Sequence, residues 1–88
     1  ELTIFSGFSP NGDGVNDFFQ IRGIERFPNN SVLVFNRWGN EVFRSRGYTN
    51  DQGWDGRWEG KDLPDGTYFY VIEDGEGNQY SGYVQIHR

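Results

Sequence analysis

The sequence contains no cysteine, no methionine and a single histidine, and its one-sidedness extends to charge. Without cysteine there is neither a disulfide framework nor a thiolate metal site, and redox compartment cannot be read from thiol usage. The only histidine is His87, one residue from the end, so a Ser-His-Asp site would have to be assembled on a fraying terminus. Lys and Arg number 8 against 13 Asp and Glu, a net charge of −5. A domain with that field repels phosphate and lacks the basic footprint of a nucleic-acid binder. No apolar run approaches the ~20 residues that a membrane-crossing helix needs. Helix formers are scarce as well. Ala, Leu, Met, Lys, Glu and Gln together supply 14 residues, whereas Val, Ile, Thr, Tyr, Phe and Trp supply 30.

What remains is aromatic and rich in turns. The 88 residues suffice for one domain. Leu, Ile, Val and Phe make up 22 of them, enough for a core. Gly, Pro, Asn and Asp add 31 turn formers. Strands are expected at Leu2 to Ser6, Phe18 to Ile24, Ser31 to Asn36, Glu41 to Ser45, Thr67 to Glu73 and Tyr80 to Ile86, with a short one near Trp58. Asn36-Arg37-Trp38-Gly39-Asn40 reads as one hairpin loop and Asp74-Gly75-Glu76-Gly77-Asn78 as another. In the best strand Thr67, Phe69 and Val71 share one face and Tyr68, Tyr70 and Ile72 the other, bulk on both sides that argues for a central position. Gly47 to Pro64 reads mostly as loop. The expectation is an all-β, compact immunoglobulin-like sandwich of about seven short antiparallel strands, a single domain over residues 1–88, monomeric in isolation. Because the first residue is Glu1 rather than Met, the chain reads as part of a longer precursor.

Three groups of residues invite chemistry. Asp51, Asp55, Asp62 and Asp65 fall in one loop region, but with 13 acids in the chain such grouping is expected by chance, and no nucleophile is paired with a base. No enzymatic activity is expected. Ser9, Asn11, Asp13 and Asp17, with the carbonyl of Val15, follow the alternating oxygen spacing of a calcium loop around Gly14. Ser stands at the first position and Gln20 where a bidentate Glu would be, so calcium would bind weakly, with Kd of about 10⁻⁴ to 10⁻³ M. The same residues also suit a plain turn. Trp54, Trp58 and Tyr48 could stack on sugar, although in so small a domain large aromatics ordinarily build the core.

Five blocks, in order, carry a resemblance. They are Phe8-Ser9-Pro10-Asn11-Gly12-Asp13-Gly14-Val15-Asn16-Asp17-Phe18-Phe19, Val34-Phe35-Asn36-Arg37-Trp38-Gly39-Asn40-Glu41-Val42-Phe43, Trp54-Asp55-Gly56, Leu63 to Ile72, and Tyr80 to Ile86. Together they resemble the gliding-motility-associated C-terminal domains, the type B sorting domains of proteins exported by the type IX secretion system. The resemblance implies a non-catalytic export domain at the end of a large surface or secreted protein such as a gliding adhesin. Its implied partners are the outer-membrane translocon and a PorP/SprF-like outer-membrane protein. The alternatives are a carbohydrate- or protein-binding adhesion module built on the Trp54 to Trp58 loop, and a structural spacer. If a partner is recognised, Arg37, Trp38 and Gly39 at a hairpin tip are of the type enriched at recognition hot spots. The competing role for Trp38 is to fold back over the end of the sandwich with Arg37 stacked on it.

Overall fold

The computed structural model describes residues 2–10, 12 and 17–88. Nine strands are present among them: β1 (Thr3–Ile4), β2 (Gly7–Phe8), β3 (Ile21–Arg22), β4 (Ser31–Phe35), β5 (Glu41–Arg46), β6 (Arg57–Trp58), β7 (Lys61–Asp62), β8 (Gly66–Glu73) and β9 (Gln79–Ile86). Two single 3₁₀ turns, Ile24–Arg26 and Asn50–Gln52, interrupt them. The principal layer is a five-stranded sheet in the order β2-β9-β8-β4-β5. Both anticipated hairpins form, β4 with β5 and β8 with β9, and β8 lies inside the sheet between β9 and β4. All its pairings are antiparallel except one, since β2 runs parallel to β9.

Alternation sets the inner face. Val32 and Val34 of β4, Tyr68 and Ile72 of β8, and Val84 and Ile86 of β9 point into the core, where full burial of such side chains is worth about 1.5–3 kcal/mol each. A bulge at Val34/Phe35 brings both Val42 and Phe43 of β5 against that core. Gly82 of β9 faces Tyr70 of β8, and a Cβ there would stand 2.7 Å from the Tyr70 hydroxyl, so only glycine leaves room for the ring. The second layer is thin. Leu2, Phe19, Ile21, Ile24, Tyr48 and Trp54 cover the inner face of the sheet from segments that are mostly irregular.

Two expectations change in detail. The strand anticipated at Phe18 to Ile24 shortens to Ile21–Arg22, because its other hydrogen bonds go to loops. Phe19 donates its N–H to the Trp54 carbonyl at 2.8 Å, and the Asn50 side chain pairs with both the N–H and the C=O of Ile21, at 2.7 and 2.8 Å. The stretch Gly47 to Pro64 is loop-like apart from the β6-β7 ladder, yet it supplies the two largest fully buried side chains, Trp54 and Tyr48. Asn30, almost wholly buried, fixes that stretch to the start of the sheet. Its Nδ2 donates to the carbonyls of Phe27 and Tyr48, and its Oδ1 accepts the Tyr48 N–H at 2.9 Å. Among the described residues no buried side-chain polar atom lacks a partner.

Candidate recognition surface

The tip of the β4-β5 hairpin is held by one side chain. Asn36 Oδ1 accepts the N–H groups of Trp38 and Asn40 at 3.0 and 2.9 Å, while its backbone exchanges hydrogen bonds with Gly39 and Asn40. Gly39 completes the turn at φ 84°, where a side chain would be strained. Trp38 is thereby projected outward and is 72% exposed. Its ring does not cover the sandwich end. The Arg37 guanidinium lies 4.6 Å from the ring centroid, a cation–π arrangement that fixes both side chains relative to each other. A shallow pocket of about 190 Å³ separates this pair from the Pro64–Tyr68 segment. Its floor is rigid, because the Tyr68 hydroxyl donates to the Pro64 carbonyl at 2.7 Å, and burial pushes that phenol upward in pKa.

Below the tip, on β5, Glu41 receives both guanidinium hydrogen bonds of Arg44, which hold its carboxyl below the usual carboxylate range. The outer face of the sheet carries a feature that sequence reasoning did not single out. Phe35, Phe69 and Tyr83 stand in register across β4, β8 and β9, with Leu33 and Val71 beside them. Phe69 and Tyr83 are 45% and 52% exposed. A signal was available, since the strand partners of this face on β9 are Gln79, Ser81 and Gln85, which do not belong in a core.

The other sequence-marked residues lie elsewhere. Trp54 is in the core and Trp58 packs against it, so the loop offers no exposed aromatic platform of the kind a sugar needs. In the oxygen-rich loop, Ser9 is half-buried and Asp17 accepts the Gly12 N–H at 3.1 Å, while Asn11, Asp13 and Val15 lie outside the described residues. No group of three or more acidic or histidine side chains that could hold a metal is found among the described residues. Three of the four grouped carboxylates have structural partners: Asp62 pairs with Arg57 and Arg88, Asp65 with Arg88, and Asp55 accepts the Arg57 N–H, while Asp51 is exposed in the Asn50–Gln52 turn.

The sequence profile of the CHU_C type IX secretion signal domain matches residues 2–86. The chain belongs to that family. The resemblance read from the five blocks is thus borne out, and the molecule is a type IX secretion signal domain with an all-β sandwich fold. A comparison with curated proteins returned no match. Among solved structures, the fold is similar to part of PorZ of Porphyromonas gingivalis, described as an essential bacterial surface component of the type IX secretion system, with a TM-score of 0.70 at 17% identity. The similarity covers 99% of this chain but only 11% of PorZ.

Proposed function

We propose that this domain is the export and sorting signal of a larger protein, such as a gliding adhesin, and that it acts by being recognised rather than by catalysis. The family match over residues 2–86 carries the reading. It favours a single sorting domain that delivers its cargo across the outer membrane to the cell surface or the medium, by engaging the outer-membrane translocon and a PorP/SprF-like protein. The adhesion alternative loses its support with the burial of Trp54, and a spacer has no need of an exposed Arg-aromatic pair at a rigid tip. Arg37, Trp38 and Gly39 form the element of the partner's footprint that the sequence already marked.

The test is a fusion of residues 1–88 behind a signal peptide and a passenger, expressed in a type IX-competent bacterium together with its outer-membrane partner. The passenger is expected outside the cell. An Arg37→Ala, Trp38→Ala fusion that remains folded by circular dichroism is expected to stay inside. Normal export of that variant removes the tip from the footprint, and retention of the wild-type fusion overturns the sorting reading.

A further inference from the structure

We infer that the outer face of the five-stranded sheet, centred on Phe35, Phe69 and Tyr83, is a docking surface for a partner protein that presents an apolar patch bordered by carboxylates. The inference rests on the sorting function proposed above and extends it from the hairpin tip to a whole face. The three aromatic residues form one cross-strand row, and no other element of the described chain covers them. Aromatic side chains of this kind, ringed by polar groups, are the residue types around which recognition energy concentrates. The face is continuous with the tip, because Thr67, on the same side of β8 as Phe69, also lines the pocket beside Trp38.

Charge and area identify the occupant. The domain carries −5 overall, yet the β4-β5 hairpin that borders the face holds Arg37, Arg44 and Arg46 against Glu41 alone. Arg44 is paired with Glu41, whereas among the described residues no carboxylate lies within ion-pair distance of Arg37 or Arg46. Glu73 stands on the same face in line with Ser31 and Arg46 and lines a shallow pocket with Arg46, so this border carries three arginines against two glutamates, a net positive strip on an acidic domain that calls for carboxylates from outside. A second copy is a poor candidate. Two domains of −5 repel each other, and five strands of two to eight residues, about 4.8 Å apart, present roughly 450 Å². That is less than the about 800 Å² per partner of a standard stable interface, but it suits a contact that must be made and released during transport.

The fusion described above tests the inference. Phe69→Ser/Tyr83→Ser is expected to lower exported passenger at least tenfold while the purified domain keeps its circular dichroism and melts within a few degrees of the wild type. Arg44→Glu/Arg46→Glu is expected to do the same, whereas Arg44→Lys/Arg46→Lys retains export. Phe5→Ser/Phe18→Ser removes two other exposed aromatics, away from this face, and is expected to export within twofold of wild type. Should the serine pair fail to fold, the charge-reversal pair carries the test alone. Export of the folded face variants at wild-type level, with the wild-type fusion exported, overturns this inference and leaves the sorting function standing. Retention of the wild-type fusion overturns both. A wild-type dimer in sedimentation that Phe69→Ser/Tyr83→Ser dissolves assigns the face to a second copy and overturns the partner named here.

Discussion

The Tyr48 hydroxyl accepts the backbone N–H of Trp54 at 2.8 Å, and the same oxygen donates to the Phe19 carbonyl at 2.6 Å. One phenol therefore ties together two segments of the thin second layer that have no strand partner to hold them. Tyr48→Phe keeps the ring and leaves both backbone groups buried without a partner, a loss of about 1–3 kcal/mol for each such group. A drop in Tm on the order of 10 °C is expected, and an unchanged melt would show that water replaces the hydroxyl.

The same residue sets an alkaline limit. Burial pushes the Tyr48 phenol far above its ordinary value near 10, and Tyr68 and Tyr70 shift the same way. A group whose pKa is raised by folding gives its full stabilisation below the unfolded value and loses it as pH climbs past that value. Wild-type stability is expected to decline above about pH 10, and Tyr48→Phe is expected to flatten that decline. Parallel alkaline limbs in the two proteins would exclude Tyr48 as the cause.

An acid limit comes from Asp74 at the β8-β9 turn. Its buried carboxylate accepts the Asn78 side-chain amide at 2.8 Å and the N–H groups of Glu76 and Asn78, which hold it below the usual carboxylate range. A lowered pKa stabilises above the unfolded value and ceases to do so as pH falls through the folded one. Asp74→Asn is expected to melt below wild type at pH 7 and to converge with it near pH 2, as followed by circular dichroism. A gap that persists unchanged at pH 2 would mean that the hydrogen bonds, not the charge, matter.

The strands were legible in the sequence wherever pairing partners are close in the chain. The β4-β5 and β8-β9 hairpins follow from alternation plus Gly and Asn turns, and their boundaries agree to within about a residue. Pairings between distant segments left no such trace. Nothing local to Ile21 says that the Asn50 side chain will pair with it, whereas Tyr48 and Trp54 take the core role that large aromatics ordinarily have in so small a domain. Likewise, bulk on both sides of β8 argued correctly for a central strand but could not tell that the Phe69 side would be left open. The hairpin tip was legible for the opposite reason, since Asn36 to Asn40 contains its whole hydrogen-bond pattern within five residues.

Arg88 reaches back across the fold. Its guanidinium donates to the carbonyls of Leu63 and Gly56, and its backbone N–H donates to Asp65 at 3.1 Å. Arg88→Ala is expected to raise amide exchange rates in the Gly56 to Asp65 loop several-fold and to lower Tm by a few degrees. Exchange confined to wild-type rates would reduce the contact to a surface decoration.

Calcium binding at Ser9, Asn11, Asp13, the Val15 carbonyl and Asp17 is expected to stabilise the folded state by about 1.4 kcal/mol in calcium at ten times a Kd of 10⁻³ M. A melt several degrees higher in 10 mM calcium than in chelator, abolished by Asp13→Ala, would establish the site. Coincident melts leave Asp17 with its observed role of closing the loop on Gly12.

The parallel pairing of β2 with β9 has a consequence for timing. Gly7 is joined to Gln85 and Phe8 to Ile86, so one edge of the sheet is made from opposite ends of the chain. Phe8, Val84 and Ile86 all belong to the single core, and that core stays unfinished until the final strand is available. Contacts of such long separation make folding slow compared with local hairpin closure. A chain that emerges from a ribosome or a membrane pore with its first residues leading can close its β4-β5 hairpin on the way, but it cannot complete the core until the final strand is free. The folded surface that a transport apparatus could read comes into being only when the last strand has arrived.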